Sequence, residues 1–197
     1  MKYKLTDETK IVCGRTLHRI EALKYFGMVS KGDIGGWIEK RSNLSQEGTC
    51  WVVDNAHVFG NAYVCGDAQV YDDAQVYGNA QVYNKAHVSG DVRVSGSARV
   101  SGDAQVYGNA HVSSRAWVGD DAQVFKDMTC TLNTLTCTLT RDRITVSDNH
   151  IAIGCEVHTF DHWLENIETI GKENRYSEED IKLYKQVVTS LIERRRS

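Results

Sequence analysis

Apolar residues recur at every sixth position between residues 56 and 127, which divides this stretch into twelve hexads. Val occupies the third position of all twelve hexads, and Ala occupies the first position of eleven, with Val92 the exception. Ala and Val are two residues apart, so both side chains point to the same side of a short extended segment. The last two positions are mostly Gly, Asn, Asp or Ser, which adopt turn conformations at low cost. Each hexad is therefore predicted to be a short strand followed by a bend.

Three successive hexads are predicted to form one triangular coil of 18 residues, and stacked coils of this kind make a parallel β-helix. An aliphatic residue followed four positions later by a small one, as in Val58 and Ala62, is typical of the left-handed form. Two looser hexads precede the regular ones, so the predicted β-helix spans residues 44–127, or about 4.7 coils. The predicted fold class is an all-β solenoid, a left-handed parallel β-helix of about four to five coils with Val in its interior.

The residue before each Val points outward, so residues 18 positions apart are predicted to stack into columns. Arg93 and Arg99 are candidates for binding an anion, Tyr107 and Trp117 are candidates for stacking on a planar ring, and His111 completes this ligand-binding set. The alternative is that the columns are solvated ladders without a binding role. The three columns are His57, Gln75, Arg93 and His111; Tyr63, Gln81, Arg99 and Trp117; and Gln69, His87, Gln105 and Gln123.

The residue after Val is often aromatic. Aromatic side chains at these positions would lie on the outer surface of the β-helix. The positions concerned are Phe59, Tyr71, Tyr77, Tyr83, Tyr107 and Phe125.

Residues 1–43 are predicted to form an N-terminal α/β cap that covers the open apolar end and the unpaired strand edge of the β-helix. Two short strands are expected around a turn at Asp7–Glu8. A helix is expected over Thr16–Phe26, because its apolar residues recur at helical spacing and Gly27 follows it.

The hexads end after Asp127. Residues 128–158 are predicted to form irregular coils or a β-hairpin, and residues 159–197 a C-terminal helical segment. Its first helix is expected to be capped by Thr159 and to end at Gly171, and its second helix to follow Ser177. The second helix would pack on its own chain or make a short coiled-coil contact with a partner.

Charge and composition exclude several classes of partner. The net charge is -3, so no basic footprint for nucleic acid is evident. No apolar stretch resembles a signal peptide or could span a bilayer, and a cytoplasmic location without membrane partners is expected. The six cysteines do not form a secreted disulfide framework and are expected to be reduced thiols.

A second candidate site lies near the C-terminus. Cys155, His158 and His162 are metal-ligand residue types at short spacing, and Trp163 follows them. A structural role in hydrogen bonding, a metal site and a catalytic role all remain open for this cluster, of which the structural role is favoured.

No metal site and no catalytic residue are predicted. His57 and His111 share a column but lie three coils apart, or about 14 Å, so they cannot bind one metal ion. His87 belongs to another column. No cofactor is expected, except acetyl-CoA under the alternative function given below.

Short motifs flank the hexads on both sides: Gly14-Arg15-Thr16-Leu17, Gly32–Glu39, Asn43-Leu44-Ser45, and Ile153-Gly154-Cys155 with His158, Thr159 and Trp163. In these motifs and in the hexads, the whole chain resembles uncharacterised phage and prophage proteins with YGNAxV-type hexapeptide repeats. That family is often labelled a transferase on the repeats alone, which is an argument from fold. The resemblance implies a phage accessory protein, of a kind that blocks a host enzyme or sequesters a host signal.

The predicted function is a non-catalytic phage-type binding protein in the host cytoplasm that would counteract host defence. It would form a homo-oligomer, with a trimer favoured, and bind a host protein or a small nucleotide-like ligand. One alternative is an acyl-CoA-dependent acetyltransferase with His87, His111 or His158 as general base. Another alternative is a structural spacer or virion-associated protein.

Overall fold

Short parallel strands repeat every six residues through the middle of the computed structural model, which describes all residues from 1 to 197. They stack on three faces and form a left-handed parallel β-helix of about five turns, as predicted. Paired residues of the hexads are 18 positions apart, as in Arg93 with His111, so the predicted outward columns are present. Face one contains Ile34–Ile38 (β3), His57–Val58, Gln75–Val76, Arg93–Val94, His111–Val112 and Thr129–Cys130; face two contains Tyr63–Val64, Gln81–Val82, Arg99–Val100 and Trp117–Val118; face three contains Trp51–Val52, Gln69–Val70, His87–Val88, Gln105–Val106 and Gln123–Val124.

The hexad Val and Ala side chains fill the interior, and every one of them is completely buried. Each buried Val stabilises the fold by about 1.5–3 kcal/mol relative to an exposed one, so the Val columns are the main source of stability. The bends need left-handed backbone. At Gly102, φ is 71°, and a Cβ atom there would lie 2.4 Å from the carbonyl oxygen of Asp120 on the next coil.

The β-helix is longer at both ends than the predicted span of 44–127. β3 pairs with His57–Val58, and Thr129–Cys130 pairs with His111–Val112. Gly36 occupies the Ala position of the added coil, and a Cβ atom there would lie 2.7 Å from the carbonyl oxygen of Ala56. The added N-terminal coil therefore meets the same steric limit as the hexads, with Gly in the position that Ala occupies elsewhere.

The predicted helix over Thr16–Phe26 is wrong, because this segment is part of a β-hairpin. Tyr3–Val12 (β1) pairs with Arg15–Ala22 (β2), which in turn pairs with β3. The pairing of β2 with β3 shifts register between Arg19 and Glu21. Because of this irregularity, two buried residues of the strand, Leu17 and Ile20, are three positions apart, and that spacing resembles the apolar period of a helix.

The predicted turn at Asp7–Glu8 is also wrong. β1 continues through it with a register shift between Leu5 and Thr9. The chain reverses at Cys13 and Gly14, whose φ angles are 50° and 74°. Two positive φ angles in a two-residue loop match the twist of a hairpin, which explains the turn at this point.

The N-terminal hairpin closes one end of the β-helix. Tyr3 and Ile20 belong to the same apolar cluster as the hexad Val residues. The Tyr3 hydroxyl donates a hydrogen bond of 2.8 Å to the carbonyl oxygen of Leu44. Lys2 is buried, and its ammonium donates to the carbonyl oxygen of Cys50 at 2.9 Å. These contacts remove the exposed interior and the free strand edge at this end.

A four-stranded antiparallel sheet closes the other end. It consists of Leu135–Thr138 (β4), Arg143–Val146 (β5), His150–Ile153 (β6) and Glu156–Thr159 (β7), in that order. The predicted hairpin of residues 128–158 is thus present as β5 and β6, within a larger sheet. One face of the sheet packs on the β-helix through Ala152 and Val157. The opposite face packs on two helices.

The two helices begin at their predicted caps. Phe160–Glu173 (α1) follows Thr159, and Glu178–Arg196 (α2) follows Ser177. α1 does not end at Gly171 as predicted. A Cβ atom on Gly171 would lie 2.7 Å from Ile181 of α2, so this glycine allows the helices to approach closely.

α2 packs on its own chain. Its buried residues are Ile181, Tyr184, Val188 and Ile192, and Leu191 of the predicted face is only half-buried. Neither α1 nor α2 combines the length and the apolar character that a membrane-spanning helix requires.

Val94→Asp is expected to lower the free energy of unfolding by about 4 kcal/mol or more, because it places an unpaired carboxylate inside the β-helix. Gln81→Asp, at an exposed outward position, is expected to change it by about 0.5 kcal/mol or less. Urea unfolding followed by circular dichroism compares the two variants. Equal losses of stability would contradict the assignment of Val to the interior.

His57 is an outward residue that the N-terminal hairpin covers. It pairs with Trp37 of β3, and both of its ring nitrogens are buried without a hydrogen-bond partner. Burial first, and the nearby Lys10 ammonium second, lower the pKa of His57 to about 4, against the opposing effect of the Asp73 carboxylate. His57 is therefore neutral in the folded protein near pH 7.

Stability should fall as the pH drops from about 6.5 to about 4, because over this range the unfolded chain binds a proton at His57 and the folded chain does not. His57→Gln should remove this part of the loss. Gln already occupies the same position on the next coil, at Gln75. Urea midpoints at about pH 7 and about pH 4.5 measure the effect. The control is His87→Gln, a variant at an exposed position, which should lose as much stability on acidification as the unmodified protein. If His57→Gln lost the same amount as well, this expectation would be overturned.

Candidate functional site

A pocket of about 200 Å³ lies between the C-terminal sheet and the two helices. Its floor is apolar because the sheet and the helices present their buried faces to each other there. The apolar lining residues are Ile153, Trp163, Ile167, Ile170 and Ile181.

The rim of the pocket carries a hydrogen-bond network around Asp142. The Tyr176 hydroxyl donates to the Asp142 carboxylate. The Tyr184 hydroxyl accepts from the Asp142 backbone N–H at 2.7 Å and donates to its carbonyl oxygen at 3.1 Å. Burial first, and the hydrogen bond to Asp142 second, raise the pKa of Tyr176. The phenol therefore keeps its proton and remains a donor.

Arg141 holds the end of α1 against the sheet. Its guanidinium lies 4.7 Å from the centre of the Tyr176 ring. It also donates to the carbonyl oxygens of Asn174 at 3.0 Å and Arg175 at 3.2 Å. Its charge is thus engaged by the helix end and an aromatic face. Tyr176 and His158 each contact one oxygen of the rim carboxylates of Asp142 and Glu156, so the second oxygen of each remains as an acceptor for a ligand.

The predicted C-terminal cluster is brought together beside this pocket. The His158 Nε2 atom lies 3.1 Å from a carboxylate oxygen of Glu156. The rings of His158 and His162 stack with centroids 4.3 Å apart, and the Trp163 ring meets His158 edge-on at 5.2 Å. The Trp163 indole N–H donates to the carbonyl oxygen of Ile151 at 2.8 Å.

Cys155 is exposed and lines the same pocket as Trp163. No group of three or more His, Cys, Asp or Glu side chains in the chain is arranged to hold a metal ion. The arrangement around the pocket suits recognition of a small molecule with an apolar body and a donor-bearing edge.

The predicted ligand residues of the β-helix come together only as neighbouring pairs, Arg93 with His111 and Arg99 with Trp117. Arg93 and His111 lie on face one, Arg99 and Trp117 lie on face two, and Tyr107 lies at the corner after face three. Trp117 is 47% exposed. These residues could contribute to one site only if a second chain brought two faces together.

Sequence reasoning missed Arg141, Asp142 and Tyr176. They lie outside the hexads, and the hydrogen bond between Tyr176 and Asp142 joins residues 34 positions apart. No periodicity connects them, so the packing of α1 and α2 on the sheet is what reveals the site.

The aromatic residues that follow Val form stacked pairs at the corners of the β-helix. The rings of Phe59 and Tyr77 are 5.2 Å apart with 5° between their planes. The rings of Tyr107 and Phe125 are 5.0 Å apart with 4° between their planes. The stacking follows from the coil repeat, because a column places equivalent side chains about 4.8 Å apart.

Comparisons with known proteins agree with the β-helix. A family model described as the YdcK beta solenoid repeat matches residues 68–84, 74–90 and 86–102. The chain is also 37% identical over 68 residues to a protein named "Uncharacterized acetyltransferase YdcK" from Escherichia coli (strain K12). That match covers 30% of this chain and 21% of the relative, so the chain spans about a fifth of the length of the curated relative.

These similarities support a hexapeptide-type β-helix protein. The family model matches only part of the β-helix and does not reach the C-terminal pocket.

Proposed function

We propose that the protein is a non-catalytic binding protein, in which a rigid β-helix carries a small-molecule site in the C-terminal unit. The pocket between the C-terminal sheet and the helices is the observation on which the proposal depends. An apolar floor with a few fixed polar groups at the rim is the usual composition of a small-molecule site. The hydrogen bonds of Arg141, Tyr176 and Tyr184 hold that rim in place before a ligand arrives.

A small nucleotide-like ligand fits this chemistry. The pocket of about 200 Å³ is smaller than the roughly 300–1,000 Å³ of drug-sized sites, so it would take one ring system and leave the rest of the ligand outside. Ile153 and Trp163 would contact the faces and edges of the ring. The carboxylates of Asp142 and Glu156 would accept hydrogen bonds from an exocyclic amino group.

The resemblance of the end motifs to those of phage and prophage proteins supports a setting in the host cytoplasm. There the ligand would be a host signal, or the surface would engage a host protein, and sequestration would counteract a host defence. A homo-oligomer, with a trimer favoured, would cover the exposed Tyr63 and Trp117 of face two. A purely structural spacer would need no pocket at its end.

Ile170→Trp is expected to abolish ligand binding in the pocket, because Ile170 lines the pocket and is only half-buried, so a larger side chain fills the space. Leu164→Trp on the same helix is the matched control, since Leu164 is 38% exposed and does not line the pocket. A panel of nucleosides and nucleotides is tested by thermal shift. A compound at about 100 times its dissociation constant should stabilise the protein by about 2.7 kcal/mol.

The expected result is a rise in melting temperature that is larger for the unmodified protein and for Leu164→Trp than for Ile170→Trp. A panel that shifts no protein, or shifts all three equally, would contradict the pocket as the ligand site.

An acyl-CoA-dependent acetyltransferase is the second candidate. The pairing of Glu156 with His158 at 3.1 Å favours it, since a carboxylate can orient a histidine that acts as a general base. The name of the similar Escherichia coli protein also includes this activity. CoA would lie in a groove between subunits. His87 and His111 are exposed on faces three and one, and so are weaker candidates for the base.

If this second function holds, His158→Gln should lower acetyl-CoA turnover by about 10²–10⁴-fold, measured as free thiol released in the presence of amine and alcohol acceptors. His87→Gln is the control and should leave turnover unchanged. Absence of thiol release from the unmodified protein would eliminate the acetyltransferase.

A further inference from the structure

One corner column of the β-helix has a gap in its aromatic side chains. This column follows face three, and its members lie one coil apart. Towards the C-terminal end of the column, the rings of Tyr107 and Phe125 are nearly parallel, with their centroids 5.0 Å apart. Phe59 and Tyr77 show the same geometry at another corner, so adjacent coils of this protein stack their rings wherever both are aromatic. The column consists of Val53, Tyr71, Ser89, Tyr107 and Phe125.

Ser89 interrupts the stack, so Tyr71 and Tyr107 are separated by two coils, or about 9.6 Å along the column. Tyr71 has its ring edge-on to His87, at 6.3 Å and 82°, instead of a stacked aromatic partner. The space above Ser89 is a recess of about 310 Å³ that these residues line together with Gln105. We call this recess the Ser89 slot.

We propose that the Ser89 slot binds a purine base, which takes the place of the missing ring between Tyr71 and Tyr107. A ring midway between the two tyrosines would lie about 4.8 Å from each along the column. The protein's own stacked pairs have centroid distances of 5.0 and 5.2 Å. The coil repeat therefore sets the two walls at a separation suited to one planar ring.

The polar residues of the slot favour a purine over a hydrocarbon ring. Gln105 is exposed on face three beside the slot, and its amide both donates and accepts hydrogen bonds. A Gln amide can pair in a bidentate manner with the donor and acceptor on the edge of adenine. The Ser89 hydroxyl and the His87 imidazole add further hydrogen-bonding groups at the same recess. Stacking supplies affinity and these groups supply selectivity.

The slot is separate from the C-terminal pocket. The two share no lining residue, so the slot does not depend on the function proposed for the pocket. A purine bound here would be held by a rigid wall whose spacing is set by backbone hydrogen bonds, with little reorganisation beyond the rotation of Tyr71.

Ser89→Tyr tests the slot by completing the aromatic stack. The variant should fold, because equivalent positions one coil away hold Tyr71 and Tyr107. Ser95→Tyr is the matched control. Ser95 follows Val94 at another corner and lies one coil after Tyr77, so a tyrosine there extends a stack without filling a slot. Circular dichroism and melting temperature confirm that both variants are folded.

Binding is measured on the full-length Ile170→Trp protein, whose C-terminal pocket is filled, by saturation-transfer NMR with adenosine and guanosine, and with ribose as the probe that lacks a planar ring. In this background we expect transfer to the base protons with Ser89 unchanged and with Ser95→Tyr, loss of transfer with Ser89→Tyr, and no transfer to ribose. Tyr71→Ala should weaken nucleoside binding about tenfold through the loss of one stacking partner.

The proposal is overturned if neither nucleoside receives saturation from the Ile170→Trp protein, or if Ser89→Tyr and Ser95→Tyr retain or lose the signal together in that background. Nucleoside transfer that is seen in the unmodified protein but lost in Ile170→Trp would place nucleoside binding in the C-terminal pocket and remove the slot as its site.

Discussion

The narrow interior of a three-sided coil admits only small and medium aliphatic side chains, and most of the molecule follows from this steric limit. The hexad Val side chains of the three faces meet inside the coil, and Ala lies where the chain has just turned a corner. Gly36 meets the same limit in the added N-terminal coil, where a Cβ atom would lie 2.7 Å from a backbone oxygen. Once the interior is fixed, strand pairing repeats every outward residue at an interval of 18 positions. The columns and aromatic stacks on the surface are therefore consequences of the core.

The same repetition leaves two open ends, and the chain closes them differently. The N-terminal hairpin adds two strands to the end of face one and places Tyr3 and the buried Lys2 over the first coils. The C-terminal sheet lies against the last coil with one face and therefore has a second apolar face to cover. α1 and α2 cover it, and the pocket is the space that their packing leaves around Trp163. The C-terminal site thus exists because the cap is a two-sided layer.

The sequence was sufficient to predict the elements whose local residue pattern directly reflects their place in the packed structure. The Val positions gave the β-helix and its columns, and Thr159 and Ser177 gave the helix starts. Prediction failed where a bulge produced a misleading period, as between Leu17 and Ile20, whose spacing results from a register shift. It also failed at Gly171, where a glycine serves close helix packing and does not end the helix.

The candidate sites differ in how far they could be foreseen. His158, His162 and Trp163 are close in sequence, so their clustering was predictable, whereas the contact of Tyr176 with Asp142 required the packed structure.

A repeated structure makes each departure from the repeat interpretable, because every position has equivalents on neighbouring coils. Ser89 is informative because Tyr71 and Tyr107 occupy its equivalent positions and Phe125 continues the column. A serine in that place costs the protein a ring-stacking contact that it makes elsewhere, and it opens a recess of defined width. The C-terminal pocket has no such equivalents. The argument that it binds a ligand depends instead on its enclosure and on polar groups that are already held in position. A site defined by backbone spacing selects for the thickness of a ring, and a site defined by side-chain packing selects for volume and for the placement of hydrogen bonds.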